Sequence, residues 1–332
     1  MITEFSGLKR ILIIRLSSFG DILLTTPLIR SIKKKNPSLQ IDFILKEEFV
    51  ELLQNNPYIT NVYKYSVSKF EKEALFDSLT STNFDLAIDL QNNLRSKEII
   101  KLLKCNTLKF RKHNINKFLL VHFKINKLKN AAQIPLRYAA AAGGFELDGE
   151  GLDFFTNKLP DTSFDPNEKY IGLCPGAKHF TKRWPVDYFI DLGKRLETSG
   201  YKVVIFGGPE EAEICFRIQQ KINDSLNLYD TSILQVSANM KMCKAIYTND
   251  SGLMHLASAV KVPVIAFFGS TVREFGFFPY KGKSIILEKK DLSCRPCTHI
   301  GRKSCPKIHF KCMMEIKPAL AFSQLTNILT LQ

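Results

Sequence analysis

A rhythm constrains this chain more than any single residue does: short, nearly unbroken apolar runs, each followed by a polar turn and a stretch with helical spacing. KRILIIRL (Lys9 to Leu16), QIDFIL (Gln40 to Leu45) and DLAIDL (Asp85 to Leu90) are such runs in the first half, with a shorter one at Asn61–Tyr65. Tyr170–Cys174, Lys202–Phe206, Ile246–Thr248 and Val262–Phe268 repeat the pattern in the second half. Runs that lack polar alternation are buried on both faces, as strands are in parallel sheets covered by helices. Between them, ILLTTPLIRSIKKKNP reads as one amphipathic helix ending before Pro37, and Glu47–Asn55 as a helix closed by Asn-Pro. Phe70–Ser81, Pro135–Gly144, Val186–Gly200, Glu210–Ile222 and Leu320–Leu331 read as further helices. Strand and helix in alternation define an α/β protein. The stretch Leu147 to Asn167, rich in Gly, Pro, Asp and Asn, marks a boundary. It predicts an N-terminal domain over residues 1–155, a C-terminal domain over 165–318, and a terminal helix in 319–332 that crosses back to the first domain.

The net charge of +15 predicts anionic partners. From Arg95 to Lys129, eleven Lys and Arg face one acid, Glu98, with Phe110, Phe118, Leu119, Leu120 and Phe123 interleaved. Such a run reads either as a solvated helical face over core aromatics or as a contact for a phosphorylated acceptor or an anionic membrane surface. No helix-turn-helix, RNP or zinc-finger pattern accompanies it, so nucleic acid is not expected as a partner. No apolar run approaches the ~18–20 residues that span a bilayer. The run Ile11–Leu16 is interrupted by Arg15 and too short for a signal sequence, so a cytoplasmic protein is expected. A dinucleotide fingerprint is missing: Gly149 and Gly151 sit in the linker, and no G-x-G-x-x-G follows a strand. There is no Walker sequence either.

Four polar turns carry the candidate chemistry. Ile246 to His255 (IYTNDSGLMH) reads as a strand end, a turn and a helix start, with Asp250 and Ser251 as N-cap residues and Gly252 allowing close backbone approach. Free N–H groups and the positive helix end there suit a diphosphate, though an ordinary capped turn reads the same way. Asp21 lies in the turn after the first buried strand, where open α/β sheets place ligands, and could equally cap the helix that follows. Gly176 follows the strand ending at Cys174 and permits a ligand close to the backbone. Gln91, Asn92 and Arg95 follow the strand Asp85–Leu90 and are the candidates for acceptor contact.

Taken in order, RLSSFGDILLTTPLIRSIK, IDLQNNLRS, PGAKHFTKRWP, FGGPEEAE and NDSGLMHLASAVKVPVIAFFG resemble glycosyltransferase family 9, the ADP-heptose:lipopolysaccharide heptosyltransferases and their relatives. The resemblance spans residues 15 to 269. It implies a GT-B fold, two Rossmann-like domains facing each other across a cleft, with the acceptor on the first and the nucleotide-sugar on the second. It also implies an inverting transfer that requires no metal cofactor. Asp21 then matches the general base, a carboxylate adequate for the task if the cleft closes and desolvates it, which would lift its pKa toward working pH. Lys182, in KRWP, matches the phosphate-binding lysine that meets leaving-group charge. His255 is read as a contact to phosphate or sugar on that match, Asp250 as a partner of sugar hydroxyls, and Glu211 as a contact to ribose or base, with Glu210 and Glu213 as rivals. The expected donor is ADP-L-glycero-D-manno-heptose and the expected acceptor an anionic glycolipid, Kdo-lipid A or its heptosylated form. The enzyme is then expected to be peripheral on the inner-leaflet surface. A family member with another nucleotide-sugar, or a non-catalytic carbohydrate or polyanion binder, would share most of these residues.

Cys294, Cys297, Cys305 and Cys312 form a C-x2-C-x7-C-x6-C pattern interspersed with His299 and His309. The spacing is compatible with a structural zinc and equally with reduced or conditionally oxidised thiols. With only Asp291 and Glu315 as acids nearby, a catalytic metal is not expected there.

Overall fold

The computed structural model describes Phe5, residues 7–66 and residues 68–331. The chain divides into two compact units, Met1–His113 with Ile134–Phe155, and Asn114–Gln133 with Thr156–Gln332.

In the first unit β1 (Arg10–Ile14) leads through α1 (Phe19–Leu23) and α2 (Thr26–Lys35) to β2 (Gln40–Lys46). A 3₁₀ turn at Glu47–Leu52, where a full helix is expected from sequence, leads to β3 (Asn61–Tyr65). α3 (Lys69–Ser81) returns the chain to β4 (Leu86–Asp89), and α4 (Leu94–Leu102) carries it to β5 (Asn106–Lys109). The strands form a parallel sheet in the order β3-β2-β1-β4-β5. β1 is central, and Ile11, Leu12, Ile13 and Ile14 are completely buried. The chain grows outward from β1 to β3, then resumes on the other side with β4. The junction of β1 and β4 is therefore the topological switch point, where a crevice opens at the strands' carboxyl ends.

The single helix expected over Ile22–Lys35 is two. Pro27 stands at the start of α2, where its missing N–H costs nothing; within a continuous helix it would forfeit a hydrogen bond and clash with the preceding turn. The carbonyls freed at the break are met by side chains: Thr25 Oγ1 donates to Ile22 O at 2.6 Å and Thr26 Oγ1 to Leu23 O at 2.8 Å.

After β5 the chain leaves the first unit. α5 (Asn114–Phe123) belongs to the second unit, while α6 (Ile134–Ala141) returns to pack on α2. The linker after α6 is pinned by Arg30 of α2, which is 2% exposed. Its guanidinium donates to both oxygens of Asp148 at 2.6 Å, to Asp153, and to Gly151 O at 2.9 Å.

In the second unit β6 (Tyr170–Cys174), α7 (Val186–Thr198), β7 (Lys202–Ile205), α8 (Ala212–Gln219), β8 (Leu226–Asn227) and α9 (Ile233–Met240) form one half. β9 (Cys243–Asn249), α10 (Gly252–Ala259), β10 (Val264–Phe268) and β11 (Ser284–Glu288) form the other, followed by α11 (Lys311–Met314) and α12 (Pro318–Thr330). The parallel sheet runs β11-β10-β9-β6-β7-β8, so its switch point lies between β6 and β9. Trp184 stacks on Phe267 at 4.1 Å in the core over this sheet. α12 packs on α7 and on β9, β10 and β11, within the second unit. Among the described residues no helix is long and apolar enough to cross a membrane.

Two outcomes follow from this packing. A Cβ at Gly172, in the middle of β6, would lie 2.3 Å from Ile246 Cδ1 and 2.9 Å from the Phe206 ring. Gly172→Ala is expected to lower unfolding free energy by about 2 kcal/mol, read from urea titrations. Arg30 holds the Asp148 carboxyl well below the usual carboxylate range. A carboxyl whose folded pKa is depressed stabilises the fold above its unfolded value and loses that contribution as pH falls through the folded one. Stability should therefore decline as pH drops below ~4. Arg30→Met should flatten that part of the pH–stability curve while lowering stability at neutral pH.

Candidate active site

At the first switch point, the turn after β1 begins with Arg15 and Ser17 and enters α1 through Ser18. Arg15 is buried, donates to Leu90 O at 2.6 Å at the end of β4, and pairs with Asp21 Oδ1 at 2.6 Å. Asp21 is the third residue of α1 and closes a capping box with Ser18: Ser18 Oγ donates to Asp21 Oδ2 at 2.7 Å and Ser18 N at 3.3 Å. Tyr138 of α6, fully buried, donates its hydroxyl to Asp21 Oδ1 at 3.4 Å. The two readings of Asp21 from sequence thus coincide in one residue, which caps α1 and sits at the crevice.

More than burial sets the charge state of Asp21. Burial pushes the Asp21 carboxyl up, but the Arg15 guanidinium and the Ser18 hydrogen bonds outweigh it and hold the carboxyl below the usual range. Desolvation alone would have raised it; a buried cation at contact distance reverses the sign. Asp21 is an anion whose two oxygens are both engaged, and Ser18 is its exposed hydrogen-bond partner.

Gln91 joins this turn through its side chain, accepting from Ser17 N at 3.2 Å. Asn92, in a left-handed conformation at φ 43°, turns its amide to Phe110 O at 2.8 Å. Arg95 is exposed on the first turn of α4. Behind them stands Asp89, completely buried at the end of β4. Its Oδ1 accepts the backbone N–H of Gln91 and Asn92, and its Oδ2 accepts the Ser96 hydroxyl at 2.9 Å. Sequence reasoning passed over Asp89 as part of an apolar strand. Its place as the final acid of a buried run, just before a polar turn, was the available signal.

At the second switch point, loops after β6 and β9 meet through Asn249. Its amide donates to Pro175 O at 2.7 Å and its Oδ1 accepts from Trp184 N at 2.9 Å. The turn bearing Gly176 and the turn bearing Lys182 are thereby tied to the end of β9. Lys182 Nζ lies 2.8 Å from Asp250 Oδ2, which also accepts from Thr271 Oγ1 at 2.7 Å. The lysine and the aspartate read separately from sequence are thus an ion pair with a hydroxyl behind it. Ser251 is the N-cap of α10, yet its hydroxyl caps nothing. Ser251 Oγ and the Oγ of Ser270 are buried without a hydrogen-bond partner among the described residues. Gly252 begins α10, and His255 is buried one turn in.

Glu211 is separated from its rivals by position. It is half-buried, whereas Glu210 and Glu213 are exposed. Its Oε2 accepts from Gly208 N at 2.7 Å, and a Cβ on Gly176 would lie 2.7 Å from its Oε1. Glycine at 176 is what lets this carboxylate lie against the turn.

The cysteine-rich segment frames the same loops. Cys294, Cys297, Cys305, Cys312 and His309 line one small cavity with Thr181 and Ser270, and all four thiols are free. His309 Nδ1 accepts the Lys311 N–H at 3.0 Å, and its Nε2 is 3.9 Å from Cys294 Sγ. Among the described residues no three His, Cys, Asp or Glu side chains converge as a metal-ligand set. Burial, with the neighbouring thiols adding to it, pushes the Cys312 thiol up to about 12. The firm links from this segment are polar. Arg295 donates to Gly269 O at 2.6 Å and Thr271 O at 2.7 Å while pairing with Glu288, and Arg302 N donates to Thr181 Oγ1 at 2.9 Å.

The comparisons with known proteins converge on one family. Residues 73–308 match the family model for glycosyltransferase family 9 (heptosyltransferase). The chain is similar to lipooligosaccharide heptosyltransferase 2 of Campylobacter jejuni, 29% identical over 322 residues that cover 93% of this chain and 95% of that one. Its fold is similar to E. coli ADP-heptose lipopolysaccharide heptosyltransferase II, with TM-score 0.74, 23% identity and coverage of 96% and 98%. It is also similar to E. coli heptosyltransferase WaaC with ADP-2-deoxy-2-fluoro heptose, with TM-score 0.70, 20% identity and coverage of 96% and 99%. With two Rossmann-like parallel sheets and these neighbours, the fold is GT-B. The chain belongs to glycosyltransferase family 9, the heptosyltransferases, and is a glycosyltransferase.

Proposed function

We propose that this enzyme transfers heptose from ADP-L-glycero-D-manno-heptose to a Kdo-lipid A or heptosyl acceptor of the lipopolysaccharide core, with inversion and without a catalytic metal. The observation that carries the reading is the bed at the start of α10. Lys182 is paired there with Asp250, which also accepts from Thr271, and two buried serine hydroxyls, Ser251 and Ser270, make no hydrogen bond within the described chain. Cation, free hydroxyls and helix N–H groups together match the charge of a departing nucleoside diphosphate. The heptosyltransferase solved with an ADP-sugar analogue supports the same donor class.

In this reading the first unit supplies the base. Both Asp21 oxygens are already engaged, and Ser18 is the exposed group bonded to them. The proton of the acceptor hydroxyl would pass to Ser18 Oγ while the Ser18 proton passes to Asp21 Oδ2. The acceptor oxygen forms its bond to the anomeric carbon as the bond from that carbon to the diphosphate oxygen breaks. Arg15 keeps Asp21 ionised and ready to receive the proton. In the second unit Lys182 and the α10 amides would meet the charge of the leaving ADP, Asp250 and His255 would line the sugar side, and Glu211 would reach the nucleoside. Gln91, Asn92 and Arg95 remain the acceptor candidates, with Gln91 the one hydrogen-bonded to the Ser17–Asp21 turn. The acceptor is an anionic glycolipid, which places the enzyme on the cytoplasmic surface of the inner membrane. A structural zinc at the four cysteines would brace the loops around Thr181 and Thr271 and take no part in the transfer.

Turnover and nucleotide affinity separate these roles. Asp21→Asn is expected to lower kcat by roughly 10²–10⁴-fold with ADP affinity nearly unchanged. Ser18→Ala should lose about tenfold or more in kcat, and Ser18→Thr, which keeps the hydroxyl, should recover most of it. Lys182→Met should weaken ADP binding by roughly tenfold in calorimetry. Tighter binding of UDP- or GDP-sugars than of ADP-heptose would overturn the donor assignment, and full activity in Asp21→Asn would leave that residue only a helix cap.

A further inference from the structure

The segment 114–133 carries a surface that the transfer chemistry does not use. On α5, Leu120 and Val121 face inward and cluster with Leu128 and Phe275, flanked by Val272 and Phe277. The opposite side is apolar too. Ile115 is 76% exposed, Phe118 53% and Phe123 62%, and just beyond the helix Ile125 is 49% exposed. Ile115, Phe118 and His122 share one face by helical spacing, and the Phe118 ring lies 4.5 Å from His122 and 6.0 Å from Phe123. Contiguous large apolar side chains on a water-facing surface mark an interaction site.

The charge around this face has one sign. Lys117, Lys124, Lys127 and Lys129 fall within the segment, which contains no Asp or Glu, and no acid occurs in the sequence between Glu98 and Glu146. Lys127 and Lys129 are exposed. The acid that does touch the segment, Glu274, accepts from Asn126 Nδ2 at 2.9 Å. A second loop extends the surface, where His299 lies close enough to Lys117 and His122 to feel their charge and is followed by the exposed Ile300.

We propose that this face docks on an anionic lipid bilayer. Ile115, Phe118, Phe123 and Ile125 would enter the headgroup region, and the exposed Lys127 and Lys129 would meet lipid phosphates. Apolar insertion combined with basic attraction is the pairing that holds an interfacial helix on such a surface. A second copy of the chain fits poorly, because a two-fold contact would set these lysines against their own symmetry mates. A nucleic acid would leave Ile115 and Ile125 without a purpose, since polyanion binding is carried by cations and stacking. The inference rests on the proposed function only in that a glycolipid acceptor would lie in the same bilayer.

The test is flotation of the full-length protein with phosphatidylcholine vesicles, with and without phosphatidylglycerol. Binding to the mixed vesicles only is expected. The combined variant Ile115→Ser, Phe118→Ser, Phe123→Ser should weaken it about tenfold, and so should Lys127→Glu with Lys129→Glu. Phe70→Ser, at an aromatic more exposed than Phe118 or Phe123 but outside the segment, should bind as wild type. All these sites are exposed, so melting temperatures should not move. Unchanged flotation of the serine variant, equal binding to neutral vesicles, or an oligomer or homopolymer RNA complex lost through the same residues would overturn the proposal. Transfer to a deacylated, water-soluble acceptor separates the two readings. The serine variant should match wild type there, whereas failure of the wild type would defeat the proposed reaction and leave the vesicle result standing.

Discussion

Parallel pairing of buried strands is the constraint on which the rest of the structure depends. Because every strand in each sheet runs the same way, every loop that follows a strand emerges at the same edge. Where the chain reverses its direction of growth, two such loops splay apart and leave room. In the first unit that room lies after β1 and β4, which brings the Asp21 turn beside Gln91. In the second it lies after β6 and β9, which brings Gly176 and Lys182 beside Asp250. The polar residues need no special fold around them. They need only stand at the carboxyl ends of the right strands.

Both sites use a buried anchor that touches several loops at once. Asp89 orders the backbone of the Gln91–Asn92 turn, and Asn249 joins the Pro175 carbonyl to the Trp184 amide. Each anchor is the last residue of its strand, completely buried, and its side chain bonds backbone groups of the loops around it, Asp89 adding the Ser96 hydroxyl. The electrostatics follow the same economy. Asp21 and Asp250 are neighbours of helix starts, and each meets a cation from an adjoining loop at contact distance. That arrangement keeps charges in partly buried turns without isolating any of them.

Much of this was legible in the sequence, and for a physical reason. Buried parallel strands write themselves as apolar runs, so the α/β rhythm and the positions of the polar turns could be read residue by residue. The short or edge elements could not. β8 has two residues, and β5 and α4 lie in a lysine-rich stretch whose composition masks periodicity. The break between α1 and α2 was written in Pro27, but the amphipathic pattern runs straight across it. The lowered Asp21 pKa was out of reach for another reason. Its sign depends on a contest between burial on one side and Arg15 with the Ser18 hydrogen bonds on the other, which only the folded contacts decide. Whether Thr271 and Arg295 would support the Lys182–Asp250 pair was equally invisible, because those contacts span long separations in sequence.

The route of the chain through α5 has a consequence for biogenesis. Tyr138, which completes the surroundings of Asp21, and Asp148 and Asp153, which receive Arg30, all come after the excursion of residues 114–133 into the second unit. During vectorial synthesis the sheet β1–β5 is therefore finished before the residues that lock its crevice have left the ribosome. The buried side of the excursion, Leu120, Val121 and Leu128, is completed by Phe275, which is made much later. Two units that are compact when finished are interleaved in sequence, so the nascent first unit must wait, partly open, for its own late residues Tyr138, Asp148 and Asp153.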